Sequence, residues 1–314
     1  MALDHYLSQV HLRNFYSPVL GERMYGVRKS DMHGFTCRSE DVCRIEEGST
    51  NEYLQEPRAI EEFLKTVEPK YNASIEKLRS DKIDNEAVYV IAGFVGYVAT
   101  CSPAAMRINS GPLQGALEAT AAILDEKAQL PKAPDSLGGK SLTELLKDGT
   151  VKFDIDQKYP QAIGISNIMG RVNAFGNFEW EVLVNDEPES PFFTSDFPVA
   201  IERTRDLRVL NRVVPLAPDL AILIKPDLEA SVDDPKFGGF RSHRRKVRGN
   251  DVREVNRLIV QSAEKLVFYR DDHPWLKRFI ERNSKFRIEP TIRKVRTAAG
   301  YVTISGQELT TKAA

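Results

Sequence analysis

The stretch Asn177-Phe178-Glu179-Trp180-Glu181-Val182-Leu183-Val184 decides the fold class, because the residue pattern of the chain changes here. Phe178, Trp180, Val182 and Val184 alternate with the other residues, which is typical of a β-strand with one buried face. Four further apolar runs follow, separated by Pro or Asp: 192–194, 199–201, 208–214 and 220–224. Short connections favour antiparallel pairing, so the sequence predicts an antiparallel sheet within 177–225.

The segment upstream of this strand has helical patterning. Apolar residues recur at three- and four-residue steps from Ile60 to Leu78, which predicts an amphipathic helix with a kink or break near Pro69. Similar patterns make 55–172 rich in helix, whereas 1–54 is predicted to be irregular and to contain short strands. A helical N-terminal half packed on an antiparallel sheet is an α+β fold.

The remaining segments complete a single compact unit predicted over 1–305. A late helix is predicted over 251–268 and a terminal hairpin over 291–304. Residues 306–314 are predicted to form a frayed tail. One α+β domain is favoured over two, because the only Pro-rich connector, at 131–134, is short.

Composition excludes several classes of protein. The 44 basic and 45 acidic residues give a net charge of -1, so no global field attracts nucleic acid or an anionic membrane. Residues 87–106 carry no formal charge, but their Gly, Ser, Thr and Pro content favours a buried helix over a membrane span, and membrane binding is not expected. The N-terminus lacks a secretory signal, and Cys37, Cys43 and Cys101 lack metal-site spacing, which favours a cytoplasmic location.

His5 and Asp196 are the predicted catalytic pair. An imidazole can accept a proton near pH 7 or bind a metal, and a carboxylate can orient it or bind the same metal. In the alternative interpretation, His5 ties the N-terminal strand to neighbouring backbone and Asp196 forms an Asx turn ahead of Pro198. The catalytic prediction requires that His5 and Asp196 share one cleft.

Two further carboxylates, Glu61 and Glu68, lie seven residues apart, so an unbroken helix presents both on one face. With His5 and Asp196 they predict a site of mixed nitrogen and oxygen ligands suited to Mg²⁺ or Mn²⁺, in which Glu68 also takes part in catalysis. Solvated helix carboxylates are the alternative. The chain has no phosphate-binding Gly-x-x-x-x-Gly-Lys-Ser/Thr loop and no dinucleotide fingerprint, so no nucleotide or nicotinamide cofactor is expected.

The densest charge in the chain lies in a basic loop at 241–248. Five of its side chains are predicted to bind the phosphates of a substrate: Arg241, Arg244, Arg245, Lys246 and Arg248. Phe237 and Phe240 are available to stack on bases. A solvated loop is the alternative, because Asp251 and Glu254 offset part of the charge. The loop therefore predicts a nucleic-acid partner.

Several motifs in the chain occur together. They are the opening His5-Tyr6-Leu7-Ser8-Gln9-Val10-His11-Leu12-Arg13-Asn14-Phe15, the Ile-Glu-rich helix from Ile60, the element Phe193-Thr194-Ser195-Asp196-Phe197-Pro198-Val199, the step Pro215–Pro218, and Asn256. Their combination resembles the signature of domain-of-unknown-function family 4238. Three positions depart from that signature: Ser8 replaces a Pro, His11 replaces an aromatic residue, and Cys101-Ser102-Pro103 lacks the Arg expected near the Pro.

The resemblance implies a fold, but the family has no established activity to transfer. The residues themselves predict an intracellular, metal-dependent, nuclease-like hydrolase acting on nucleic-acid phosphodiesters. Within the motifs, Arg13, Asn14 and Asn256 join the predicted substrate-binding residues. The alternative is a non-catalytic module that binds or senses nucleic acid or protein, and a minor third alternative is a membrane-damaging effector using 87–106.

Overall fold

The computed structural model describes residues 3–206, 208–229, 233–297 and 300–311. Within them the helices are α1 (Gln9–Arg13), α2 (Ala59–Val67), α3 (Tyr71–Arg79), α4 (Asn85–Cys101), α5 (Pro103–Glu126), α6 (Leu142–Lys147), α7 (Lys158–Ser166), α8 (Ile168–Asn177), α9 (Asn250–Ser262) and α10 (Leu276–Asn283). The strands are β1 (Leu3–His5), β2 (Met24–Arg28), β3 (Gly34–Cys37), β4 (Arg44–Glu46), β5 (Glu179–Asn185), β6 (Thr194–Ser195), β7 (Ala200–Arg203), β8 (Leu210–Ala217), β9 (Leu220–Lys225), β10 (Arg241–Val247), β11 (Leu266–Tyr269), β12 (Phe286–Thr297) and β13 (Gly300–Thr311).

The fold is α+β, as predicted, and its largest sheet has the strand order β10-β5-β9-β8-β7. Strand β5 contains the stretch that decided the fold class, and its Trp180 and Val182 side chains are buried. The pairs β5 with β9, β9 with β8 and β8 with β7 are antiparallel. Trp180 stands opposite Ile224 in this register, so the apolar face of β5 continues across the sheet.

The basic segment 241–248 was predicted to be a loop, and this prediction was wrong. Residues 241–247 form the edge strand β10, which pairs in parallel with β5. Arg241 lies opposite Glu179 and His243 lies opposite Glu181, so opposite charges or hydrogen-bonding groups face each other across the pair. Cross-strand attraction of this kind stabilises a strand that has little apolar content.

A second sheet, ordered β3-β2-β11-β6, corrects two further predictions. The late helix ends at Ser262 rather than at residue 268, because residues 266–269 pair with β2 on one side and with β6 on the other. The strand predicted at 192–194 is instead the two-residue β6 in this sheet and does not join β5. The buried ammonium of Lys29 donates hydrogen bonds to the carbonyls of Val260 and Ala263, which caps the end of α9.

The terminal hairpin is longer than predicted and includes most of the segment that was predicted to be a frayed tail. Strands β12 and β13 pair from Phe286 opposite Thr311 to Thr297 opposite Gly300. Residues 306–311 are therefore paired, and residues 312–314 of the predicted tail lie outside the described residues. Leu309 packs against the core and Glu308 pairs with Arg203, so tertiary contacts fix this strand.

The helical segment surrounds α4, and strands β1–β4 precede it, so the first part of the chain is not purely helical. Helix α2 ends at Val67 and α3 begins at Tyr71, with Pro69 between them as predicted. Helix α4 is mostly buried and ends at Cys101, two residues ahead of Pro103. Among the described residues no single helix suffices to cross a membrane; by length and composition, only α4 and α5 together pass, and this pair bends by 67°.

Candidate functional site

The opening motif and the Thr194-Ser195-Asp196 element meet in space, and Asp196 is the centre of the candidate site. Asp196 directly follows β6, which positions it beside the turn between α9 and β11. Its Oδ1 accepts a hydrogen bond from the backbone N–H of Glu264 at 2.9 Å, and its Oδ2 accepts one from Lys265 at 2.8 Å. The residue is 3% exposed. Two backbone donors therefore fix the orientation of a buried carboxyl group.

This carboxyl group lines a cavity of about 370 Å³. The walls come from the N-terminal strand, the β4 region, the start of α5 and the turn before β11: Leu3, Tyr6, Asp41, Val42, Cys43, Arg44, Ile45, Pro103, Ala104, Asp196, Glu264, Lys265 and Leu266. Five of these residues have acidic or basic side chains: Asp41, Arg44, Asp196, Glu264 and Lys265. Such a concave site with few polar groups on apolar walls is typical of small-ligand binding.

The environment of Asp196 changes its acidity. Burial raises the pKa of the Asp196 carboxyl to about 6, because the charged form loses hydration. The backbone donors and the ammonium of Lys29 oppose this rise in pKa, and the negative charge of Glu264 adds to it. A carboxyl group with a pKa near 6 can both accept and return a proton at neutral pH, which is the property of a general acid–base residue.

Tyr6 and Cys43 form the neutral part of the wall. Their side chains are hydrogen-bonded to each other, and burial raises the pKa of both the phenol and the thiol far above neutral. Cys43 is therefore a protonated thiol and a poor nucleophile at pH 7. Its backbone has a φ of 57°, an uncommon value for a residue with a side chain, and its carbonyl accepts a hydrogen bond from the Tyr6 N–H at 2.9 Å.

Glu264 is held in place by an arginine that the sequence analysis did not select. Arg107 of α5 binds Glu264 through two nitrogens, Nε to Oε1 at 3.2 Å and Nη2 to Oε2 at 2.8 Å. It also donates to Glu289 at 2.7 Å and to the carbonyl of Ile288 at 2.8 Å. No local motif marks Arg107 in the sequence, because its partner Glu264 lies 157 residues away along the chain.

The mouth of the cavity carries two cations. Arg44 and Lys265 are both exposed wall residues, and neither forms a salt bridge with the described part of the chain. Asp41, also exposed, accepts a hydrogen bond from the backbone N–H of Arg38. These two exposed cations can attract an anionic ligand to a wall that also carries the carboxyl groups of Asp41, Asp196 and Glu264.

The predicted partner of Asp196, His5, is not among the residues that line this cavity. The Tyr97 hydroxyl donates to the His5 carbonyl at 2.6 Å, and His5 Nδ1 lies 3.4 Å from Gln9 Nε2. Its Nε2 is buried and has no hydrogen-bond partner among the described residues. Burial and then the charge of Arg44 lower the pKa of this imidazole. His5 therefore anchors β1 through its backbone, and Tyr6 beside it lines the cavity.

The predicted metal ligands have separate partners. Glu61 forms an ion pair with Arg58, and Glu68 accepts a hydrogen bond from the Ser8 hydroxyl at 2.6 Å. Asp196 is bound by the backbone donors described above. Within the described ranges, no group of three or more His, Cys, Asp or Glu side chains is arranged to hold a metal ion. Glu68 is electrostatically coupled to His5, so those two predicted residues do lie near each other.

His11, at the position where the family signature has an aromatic residue, is a buried hydrogen-bonding residue. Its Nδ1 lies 2.8 Å from the Tyr71 hydroxyl, its Nε2 lies 2.8 Å from the Thr194 hydroxyl, and its ring stacks on Phe94 at 4.7 Å. Burial lowers the pKa of His11 to about 3, so the imidazole is neutral. It joins the opening motif to the segment that carries Asp196.

The three predicted substrate-binding residues of the motifs make internal contacts. Arg13 binds Gln9 Oε1 at 3.1 Å, and Asn14 Nδ2 donates to the Val10 carbonyl and to Asn72. Asn256 is fully buried. Its Oδ1 accepts from the Phe193 N–H at 2.8 Å and its Nδ2 donates to the Pro191 carbonyl at 2.9 Å. Asn256 thereby fixes the backbone that leads into β6.

Most of the cations in the basic segment 241–248 already have partners. Arg245 pairs with Glu181 and Asp251, and Arg248 binds both carboxylate oxygens of Asp186. Lys246 lies 3.9 Å from Asp186. Arg244 donates to the carbonyls of Leu78 and Arg79 at the end of α3. Arg241, at the start of the strand, is exposed. None of these five residues lines the cavity at Asp196.

Comparison with known proteins identifies one family whose model covers most of the cavity at Asp196. A family model described as Protein of unknown function (DUF4238) matches residues 4–273, which include the opening motif, Asp196 and Glu264. No curated protein and no solved structure matches the chain. The match covers most of the sequence and every element that builds the cavity. The chain therefore belongs to the DUF4238 family.

Proposed function

We propose that the cavity at Asp196 is the active site of a hydrolase that cleaves phosphodiesters of nucleic acid. The observation that supports this most is a buried carboxyl group with a pKa of about 6 on the wall of a cavity that also carries two exposed cations, Arg44 and Lys265. Arg44 and Lys265 would bind the anionic phosphate, and Tyr6 and Cys43 would supply neutral hydrogen-bond donors.

In the proposed reaction the ionised Asp196 carboxylate takes a proton from water as the water oxygen attacks phosphorus. The bond from phosphorus to the leaving oxygen breaks, and the protonated Asp196 or a second water returns a proton to that oxygen. We also propose that the reaction depends on Mg²⁺ or Mn²⁺. Asp196 would be the ligand of this ion, because its carboxyl group lines the cavity.

The test is cleavage of single-stranded RNA and DNA by the wild-type chain and by Asp196→Asn, each with Mn²⁺ and with EDTA. General acid–base catalysis contributes about 10²- to 10⁴-fold, so Asp196→Asn should lower kcat/KM by that factor. Asp186→Asn, which removes an exposed carboxylate that pairs with Arg248, is the matched control and should keep full activity. Equal cleavage by wild type and Asp196→Asn would remove Asp196 from the reaction.

A non-catalytic binding module is the second candidate function. One observation favours it: both oxygens of Asp196 already accept backbone hydrogen bonds, as in a purely structural aspartate. Binding of an oligonucleotide with no turnover in Mg²⁺, Mn²⁺ or EDTA would identify this function.

The cysteines Cys37, Cys43 and Cys101 are free and buried, and on that basis we also infer a reducing compartment such as the cytoplasm.

A further inference from the structure

A cluster of aromatic rings lies around α10, outside the cavity at Asp196. Trp275 packs on Phe193 with ring centroids 6.0 Å apart and planes at 22°, and on His273 at 6.3 Å and 9°. Phe279 meets the Trp275 ring edge-on at 5.7 Å. Although it has these three neighbours, Trp275 is 39% exposed. The exposed part of an indole that other rings hold in place can contact a further ring.

The same surface carries three exposed cations. Arg278 and Arg282 follow Trp275 by three and seven residues, so the helix places all three on one face, and Lys285 lies just beyond the helix end. All three cations are exposed. Neither arginine forms a salt bridge with the described residues, and Lys285 lies 5.7 Å from the centroid of the Phe286 ring.

This arrangement differs from the one in β10. There the cations form ion pairs with Glu181, Asp186 and Asp251, or donate hydrogen bonds to carbonyls at the end of α3. Around α10 the cations are available and sit beside an exposed indole. Electrostatic attraction of phosphate together with base stacking on an aromatic ring is how sequence-independent proteins bind single strands.

We propose that the surface formed by His273, Trp275, Arg278, Arg282 and Lys285, here called the α10 surface, binds single-stranded nucleic acid. A base stacks on Trp275, and the three cations contact the phosphates that follow. The His273 ring packs on the Trp275 ring and helps to hold the indole in place. A duplex has no unstacked base to offer, so the single strand is the form selected.

This inference deepens the proposed function, because it names the form of nucleic acid that the chain holds, but binding here does not require turnover. The α10 surface and the cavity share no residue. Residues 274–285 also lie beyond the part of the chain that the family model matches. Loss of cleavage in Asp196→Asn with unchanged binding would therefore separate the two proposals.

The test measures binding of a labelled oligothymidine of about twenty nucleotides by fluorescence anisotropy in EDTA, together with tryptophan emission. The chain has two tryptophans, of which Trp180 is fully buried, so quenching on binding reports Trp275. We expect quenching in the wild type and a loss of affinity of about tenfold or more in Trp275→Ala. Trp275→Phe keeps a ring, and should retain most of the affinity while removing the quenching.

The cations are tested by Arg278→Ala/Arg282→Ala, which changes only exposed side chains. The logarithm of affinity should fall with the logarithm of salt at a slope of about −2, and the double variant should reduce that slope by about 1.4. The matched controls are Tyr159→Ala, which removes another exposed aromatic ring, and Arg248→Ala, which removes a cation that pairs with Asp186. Both should bind like the wild type.

Three results would overturn the proposal. The first is an unchanged affinity in both Trp275→Ala and Arg278→Ala/Arg282→Ala. The second is tighter binding of the matching duplex with no quenching of Trp275. The third is equal competition by polyglutamate without quenching, which would assign the α10 surface to an acidic protein segment instead.

Discussion

Thr194 and Asp196, two residues apart in the same motif, meet the N-terminal segment in two contrasting environments. The Thr194 hydroxyl binds His11 in a closed cluster with Tyr71 and Phe94. The Asp196 carboxyl lies on the wall of a cavity beside Tyr6, although it too is buried. In the first cluster both ring nitrogens of His11 have hydroxyl partners, whereas the second environment places Asp196 on the wall of a cavity of about 370 Å³.

The difference shows that burial alone does not identify a functional residue. His11 and Asp196 are equally buried, and burial disfavours the charged form of each. It lowers the pKa of His11 to about 3, so the imidazole stays neutral throughout the neutral range. It raises the pKa of Asp196 to about 6, where proton exchange is possible. The candidate site is therefore where the shifted pKa and the cavity coincide.

The largest effect on stability is expected for His11→Ala. This variant leaves the buried hydroxyls of Tyr71 and Thr194 without partners and removes the ring that packs on Phe94. We expect a loss of about 4 kcal/mol in the free energy of unfolding, measured by urea denaturation. His33→Ala, at an exposed histidine, should change it by less than about 0.5 kcal/mol. A cost below about 1 kcal/mol at His11 would contradict the structural role.

The two residues should also respond to pH with opposite signs. Unfolding frees His11 to bind a proton below pH 6.5, so its contribution to stability falls by about 3 kcal/mol between pH 6.5 and 4.5. Asp196 binds its proton more tightly in the native state, so its contribution is greatest below the unfolded pKa of 3.8 and is lost as pH rises through about 6. That loss amounts to about 3 kcal/mol.

Urea titrations of the wild type and of Asp196→Asn at several pH values measure the contribution of Asp196 to the free energy of unfolding. The difference in stability between the two proteins should change by an amount of that order between pH 4 and 7. A difference that is constant with pH would mean that the pKa of Asp196 is the same in the folded and unfolded states.

A smaller effect on stability is expected for Asn256→Ala, because Asn256 holds the backbone that leads to Thr194 and Asp196. It removes the hydrogen bonds to the Phe193 N–H and the Pro191 carbonyl, at a cost of about 2 kcal/mol. Thermal unfolding checks this value. Asn250→Ala, at the exposed start of the same helix, is the control and should lower the melting temperature much less. Equal shifts for the two variants would contradict the anchoring role of Asn256.

The smallest effect is expected at the mouth of the cavity. Lys265→Ala and Arg44→Ala should each raise KM about fivefold for an anionic substrate, with little change in kcat, because both cations are exposed. Added salt should shrink the difference from the wild type, since screening weakens exposed charges. An unchanged KM in the double variant Arg44→Ala/Lys265→Ala at low salt would show that the substrate does not contact these cations.

The parts of the fold that could be predicted from sequence are those with a local signal. The alternation in 177–184 predicted β5, and Pro69 predicted the break between α2 and α3. Strand β11 was missed because Leu266 and Val267 continue the apolar pattern of α9, and only pairing with β2 and β6 makes them a strand. The basic strand β10 was missed because its partner charges lie on β5, far away in the sequence.

The candidate site also combines a residue that has a local sequence signal with residues that have none. Asp196 was predicted from its motif, but Tyr6, Cys43, Arg107 and Glu264 come from segments with no shared spacing. His5 was selected in place of Tyr6 because an imidazole carries more chemistry. It is Tyr6, the first residue after β1, that lines the cavity.

The central claim is that Asp196 titrates near neutral pH in the folded chain, and carbon-13 NMR tests it most directly. Comparing the carboxyl resonances of wild type and Asp196→Asn across pH 3 to 9 identifies the signal of this residue. We predict a transition near pH 6 that is missing from the variant. A signal that stays ionised down to pH 3 would contradict the claim and leave Asp196 with the purely structural role of its backbone hydrogen bonds.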